Sequence, residues 1–224
     1  MSSDSKTLQL SCIEALLKLA LTGTALSMIW LDIAVFQTRI LEMSFVEITQ
    51  EAMLFLCAVL FLASASTSGK TGFSVLGCGF FTCLLTREMD GLLDPISNSA
   101  WCWPFTAIAT FSMAFAFNDR NRQETLAAIA SFTRTRAFGT MTTGLSILVF
   151  SRVFGTGNLW HLVLDEGYVR LAKTTVQESI ELLAYSMWFA SSIEYFANTH
   201  LIKKGTTSQE LEFNATRGNA INHS

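Results

Sequence analysis

Five carboxylates stand where an apolar chain has little reason to keep them: Glu51, Glu88, Asp90, Glu178 and Glu181. Each lies in or beside a stretch built largely of Leu, Ile, Val, Phe and Ala. Carboxylates clustered in such surroundings bind a hard cation through oxygen or share a proton, because neighbouring like charges in a poor solvent do not all ionise. Arg87 and Arg152 fall in the same setting and would set the charge state of the acids. An uncompensated charge near mid-bilayer costs about 2.5–3.5 kcal/mol on insertion scales, so acids kept there need a partner or a purpose.

Other chemistries lack parts. The histidines are His161, His200 and His223, and only His161 falls near the acids, so paired helix histidines for haem are missing. Ser146 and Ser151 have no intramembrane histidine to activate them. His161 and Asp165, four residues apart, would need Glu178 or Asp90 to complete a metal site; an interfacial histidine is more often amphipathic decoration. The five cysteines, Cys12, Cys57, Cys78, Cys83 and Cys102, form no CxxC pair and read as small buried hydrophobes. No basic patch interleaved with aromatics suggests nucleic acid. The expectation is therefore a protein that is not an enzyme and carries no cofactor, with the lipid bilayer and a small cation or proton as its partners.

The elements that must position these residues follow from composition. Of 224 residues, 50% are hydrophobic and only 15% charged, which is too apolar for an ordinary soluble domain. Six apolar runs approach the ~20 residues that cross a bilayer: Ile13–Phe36, Phe45–Ser66, Gly72–Leu93, Ala100–Phe117, Phe138–Gly155 and Thr174–Leu201. The predicted fold is all-α, a bundle of six transmembrane helices within residues 1–202, followed by a polar tail over 203–224 without regular structure. Pro95 is expected to stop the third span, and Pro104 falls in the tolerated opening turn of the fourth. The N-terminus lacks a basic region and a cleavage site, so the first span reads as an uncleaved signal anchor.

Charge bias orients the bundle. The segment Asn118–Ala137, read as a loop, carries Arg120, Arg122, Arg134 and Arg136 against Asp119 and Glu124. The positive-inside rule makes it cytoplasmic, and an even number of spans puts both termini there. Trp30, Trp101, Trp103, Trp160 and Tyr168 then mark the outer interface, and the apolar connection Thr156–Ala172 lies along it. Matches to glycosylation acceptors at Asn214 and Asn222 fall on the cytoplasmic side and read as chance. The pattern resembles polytopic bacterial inner-membrane proteins in general, without a motif for a particular family.

Under this topology Asp32, Glu47, Gln50, Glu51, Arg87, Glu88, Asp90, Arg152, Lys173, Gln177, Glu178 and Glu181 all fall in the outer half. The inner half keeps only Glu14, Lys18 and Glu194. That asymmetry predicts an outward-facing acidic vestibule closed below by an apolar plug. On the sixth span, Thr174, Gln177, Glu178, Glu181, Tyr185, Trp188 and Ser192 share one stripe; Val176, Ile180, Leu183, Met187 and Ala190 take the opposite face, expected to meet lipid. A weak parallel repeat aligns Ile48–Ser66 with Thr175–Ile193, pairing Gln50-Glu51 with Gln177-Glu178. Gly72, Gly77 and Gly79 would let helices approach closely. Two functional readings follow: transport or sensing of a small cation or proton through the vestibule, or a non-catalytic scaffold whose polar cluster is a structural salt-bridge network.

Overall fold

The computed structural model describes residues 3–36, 44–68, 70–93, 97, 99–162 and 166–221, and these are helical throughout, with turns between helices and no strand among them. The elements are α1 (Ser3–Trp30), continued by a π-helical stretch Leu31–Phe36, then α2 (Phe45–Ser68), α3 (Thr71–Glu88) and α4 (Asp90–Leu93). They continue with α5 (Cys102–Ala116), α6 (Arg122–Phe132), α7 (Arg136–Phe154), α8 (Gly157–His161) and α9 (Glu166–Ile221).

Three helical stretches are long and apolar enough to cross a membrane: Leu8–Phe36, Phe45–Ala65 and Arg136–Phe154. These correspond to the first, second and fifth of the expected spans. The other three fall short for separate reasons. α5 is apolar but has 15 residues, about 22 Å at helical rise against a hydrocarbon core of about 30 Å. α3 ends in Arg87 and Glu88, and α9 carries Glu178, Glu181 and Glu194, which lower their hydropathy.

α9 lies at the centre, packed on α1, α2, α7 and α8, while α3 packs on α2 on one side and on α5 and α6 on the other. This corrects the expectation that the sixth span shows one face to lipid. No described residue between Ala172 and Phe196 is exposed, and Ala190, assigned to the lipid face, is buried. Val176, Ile180, Leu183 and Met187 of that face stay partly accessible, so the correction falls on Ala190, which neighbouring helices cover. α1 does the opposite, leaving Leu8, Leu16, Leu19, Leu26 and Trp30 exposed.

Two segments expected to be irregular are helical. Within the arginine-rich loop, α6 buries Thr125, Ala128 and Phe132 against the bundle. Thr125 Oγ1 donates to the Ala116 carbonyl at 2.8 Å, which fastens the turn after α5. The tail past Lys204 continues α9 to Ile221; it holds no proline, and Gln, Glu, Leu and Ala there favour helix. Pro95, Asp165 and Asn222 lie outside the described residues.

The three glycines of α3 do permit close approach. A Cβ on Gly72 would meet Thr125, one on Gly77 would lie 2.1 Å from Phe61 Cδ1, and one on Gly79 would meet Ser112.

Candidate functional site

The chain's direction brings the start of α2, the end of α3, the end of α7 and the stretch of α9 around residues 177–185 to one end of the bundle. Three of the five expected carboxylates, Glu88, Glu178 and Glu181, lie there, held by donors from α2, α7 and α9. Glu181 of α9 is 2% exposed and gathers its contacts on one oxygen. Its Oε1 accepts from Gln177 Nε2 at 2.9 Å, lies 3.2 Å from Ser151 Oγ and stands 3.4 Å from Arg152 Nη1. Gln177 and Glu181 are one turn apart on α9, and Ser151 and Arg152 close α7, so the sequence spacing alone supplies the pair from α9.

Glu178 is reached from α2. Gln50 Nε2 donates to the Glu178 carbonyl at 3.0 Å and to its Oε2 at 3.2 Å, with Gln50 fully buried and its own Oε1 without a hydrogen-bond partner. Glu88, at the end of α3, accepts from Tyr185 Oη at 2.7 Å. Tyr185 is one turn beyond Glu181 on α9, and Glu88 and Glu178 are each close enough to Glu181 to interact electrostatically. The site is thus three carboxylates from two helices, bound by donors from three, and among the described residues only Arg152 is in ion-pair contact with them.

Glu51, Asp90 and Arg87 stand apart. Asp90 Oδ2 pairs with Arg87 Nη1 at 2.7 Å at the partly exposed end of α3, and the Arg87 guanidinium lies 5.6 Å over the Trp101 ring. Arg87 is therefore committed to its own neighbour. Glu51 is half-buried beside Gln50, with no hydrogen bond or ion pair to the other acids. The described residues hold no group of three His, Cys, Asp or Glu side chains placed to bind a metal ion. His161 is exposed in α8.

Asp32 serves a different purpose. It is fully buried, and its two oxygens accept from Phe45 N at 2.9 Å and Val46 N at 2.7 Å, satisfying amides that open α2. Ser44 Oγ takes Glu47 N at 3.1 Å, so α2 starts on half of a capping box. The Ser44-x-x-Glu47 spacing was a readable signal for that start. Gln50, Ser151 and Tyr185 are the site residues that charge-based reading leaves out of the acid and arginine roster, because neutral donors carry no signature of their own. The aligned residues of the weak repeat also diverge in role: Gln50 bonds across to Glu178, whereas Gln177 bonds within its own helix to Glu181.

Below the acids the helices meet through aromatics, which also line an apolar cavity of about 420 Å³. Phe61 stacks on Tyr195 at 4.9 Å and leans on Phe81 and Phe73, while Trp188 stacks on Tyr185 at 5.6 Å and donates from Nε1 to the Met141 carbonyl at 2.9 Å. Trp188 sits where a Cβ on Gly144 would be 2.8 Å from its ring.

In comparisons with family models, curated proteins and solved structures, the chain matches none of them.

Proposed function

We propose that this is a six-span protein of a bacterial inner membrane, both termini cytoplasmic, that takes up and releases a proton or small cation at Glu88, Glu178 and Glu181. The observation that carries the reading is a count of charges against donors. Among the described residues three carboxylates have one arginine, Arg152, at ion-pair range, while Arg87 pairs with Asp90 and acts on Glu88 only at a distance. Glu181 has a guanidinium, an amide and a hydroxyl around one oxygen and is the acid best supplied to stay ionised. Glu88 and Glu178 each receive one neutral side-chain donor, Tyr185 and Gln50. Two negative charges are left over, and a proton on either acid relieves both the repulsion and the desolvation. A proton is preferred to a metal ion because the carboxylates hydrogen-bond to protein donors rather than converge as a chelating set.

The membrane reading also has support at both ends. Lys70, Arg120, Arg122, Arg134 and Arg136 lie in the connections at the end opposite the carboxylates, as the positive-inside rule requires of a cytoplasmic face. Exposed Trp30 and Trp103 lie at the acidic end, where aromatic residues mark an interface. A periplasmic reporter should be active when fused after Gly157 and silent after Arg122; activity after Arg122 would reverse the orientation.

The scaffold reading is favoured by one observation, the Arg152–Glu181 contact, which could pin α7 to α9 for its own sake. Melting of purified protein across pH and with added monovalent and divalent cations separates the two. The proposal expects Glu178→Gln, which imitates the protonated acid, to hold or raise stability and to flatten the response to pH or cation. A scaffold expects Glu178→Gln to lose stability, with no response in the wild type to flatten.

A further inference from the structure

The inner half of the bundle keeps three charges, and the structure brings them to one place. Lys18 and Glu14 form an ion pair one turn apart on α1, and Arg136 at the head of α7 reaches Ser11 Oγ at 2.7 Å and Glu14 Oε2 at 3.4 Å. Glu194 of α9 joins them around a groove of about 460 Å³ between α1 and α9, with Leu10, Ile13, Leu17 and Ile193 among its walls. That volume falls within the range of small-molecule sites.

Depth identifies the compartment. From Glu14 to Phe36 is about 33 Å along the helix and from Lys18 about 27 Å, while α7 measures about 28 Å from Arg136 to its end. A hydrocarbon core of about 30 Å anchored at Phe36 therefore places Glu14 beyond its inner boundary and Lys18 and Arg136 within about 3 Å of it, in reach of the headgroups. The apolar walls extend from there along helices that face the bilayer.

Charge identifies the occupant. Two cations and two carboxylates line one groove, so its net charge is zero and its poles are separate. Arg136 is 56% exposed and makes its contacts through Nη1, which leaves guanidinium N–H groups for a phosphate. Glu194 presents the complementary lack: among the described residues its buried Oε2 has no hydrogen-bond donor, the Ala137 amide being the backbone donor to this carboxylate. A primary ammonium supplies that donor, a trimethylated one has no N–H, and an anionic headgroup would bring a further acceptor to a groove already holding two acids.

We propose that the groove between α1 and α9 binds a phosphatidylethanolamine headgroup, its phosphate on Arg136 and its ammonium on Glu194. Native mass spectrometry of delipidated full-length protein, titrated with lipids of matched acyl chains, tests it. Phosphatidylethanolamine should bind about tenfold tighter than phosphatidylcholine, the worth of one charge-assisted hydrogen bond, and tighter than phosphatidylglycerol. The mono- and dimethylated headgroups should fall between, as N–H donors are removed. Glu194→Gln should erase the preference over phosphatidylcholine, whereas Arg136→Gln should weaken all the phospholipids together. Equal binding of phosphatidylethanolamine and phosphatidylcholine by the wild type would overturn the proposal, as would tightest binding of phosphatidylglycerol. Should Glu194→Gln fail to fold, the methylation series on the wild type decides alone.

Discussion

Around Glu181, and around Trp188 two turns further along α9, the same four helices meet with opposite materials. At Glu181, α2 contributes Gln50, α3 Glu88 and α7 Ser151 with Arg152. At the aromatic layer, α2 contributes Phe61, α3 Phe73 and Phe81, and α7 Gly144 and Met141. The aromatic layer is nearly without charge and borders an apolar cavity of about 420 Å³ lined by Phe61, Phe73, Phe81 and Met141, so its energy is fixed by shape. The polar end is held by a few directional bonds whose strength depends on which acid is charged. A layer of the first kind resists change, and one of the second kind responds to protons or ions. The pairing of the two on one helix is what makes the polar end a candidate site rather than a hydrated gap.

The largest effect is expected in the dry layer. Trp188→Ala removes a side chain that is 1% exposed, together with its bond to the Met141 carbonyl, and should cost about 3–5 kcal/mol in denaturant unfolding of the protein in micelles. Gly77→Ala tests the same layer by overfilling it. The new methyl would press on Phe61, whose ring is already backed by Phe73, Phe81 and Tyr195, so a loss of about 1–3 kcal/mol is expected in the same assay. A gain in stability, as Gly→Ala gives at an exposed helix position, would mean the layer is loose.

At the polar end the losses shrink. Glu181→Gln should cost about 1–2 kcal/mol, below the cost of breaking a fully buried pair, because Arg152 is 48% exposed and water takes up part of its charge. Adding Arg152→Gln to that variant should recover part of the loss; no recovery would mean that the pair is not coupled. Arg87→Gln should change stability by less than about 1 kcal/mol, since Arg87 and Asp90 are both more than a third exposed. A large loss there would bring Arg87 back into the carboxylate network.

Reading the sequence located the polar end and the dry end, because charge and aromatic content sort along each span. It also found Glu178 and Glu181 on the buried stripe with Tyr185 and Trp188, since helical spacing is fixed by geometry. What it missed depends on which helices touch. Periodicity cannot say where a neighbouring helix covers the apolar face of α9, so it puts Ala190 toward lipid although Ala190 is buried. Nor can it say which arginine meets which acid: Arg87 and Arg152 look alike in sequence, but only Arg152 reaches Glu181. Gln50 was visible as a polar residue at the right depth, yet its bond to Glu178 spans 128 residues and leaves no local trace. Asp32 looked like another acid of the vestibule and is instead the cap on α2.

The most direct test of the account is infrared difference spectroscopy of the protein reconstituted in lipid and titrated with acid, reading the carbonyl band of protonated carboxylic acids. The account predicts a band that grows as protons are taken up. It should weaken in Glu178→Gln and in Glu88→Gln, with Trp188 fluorescence and the dry layer unchanged. A wild-type spectrum without that band, or a band untouched by both substitutions, would contradict a protonatable carboxylate site at the head of α9.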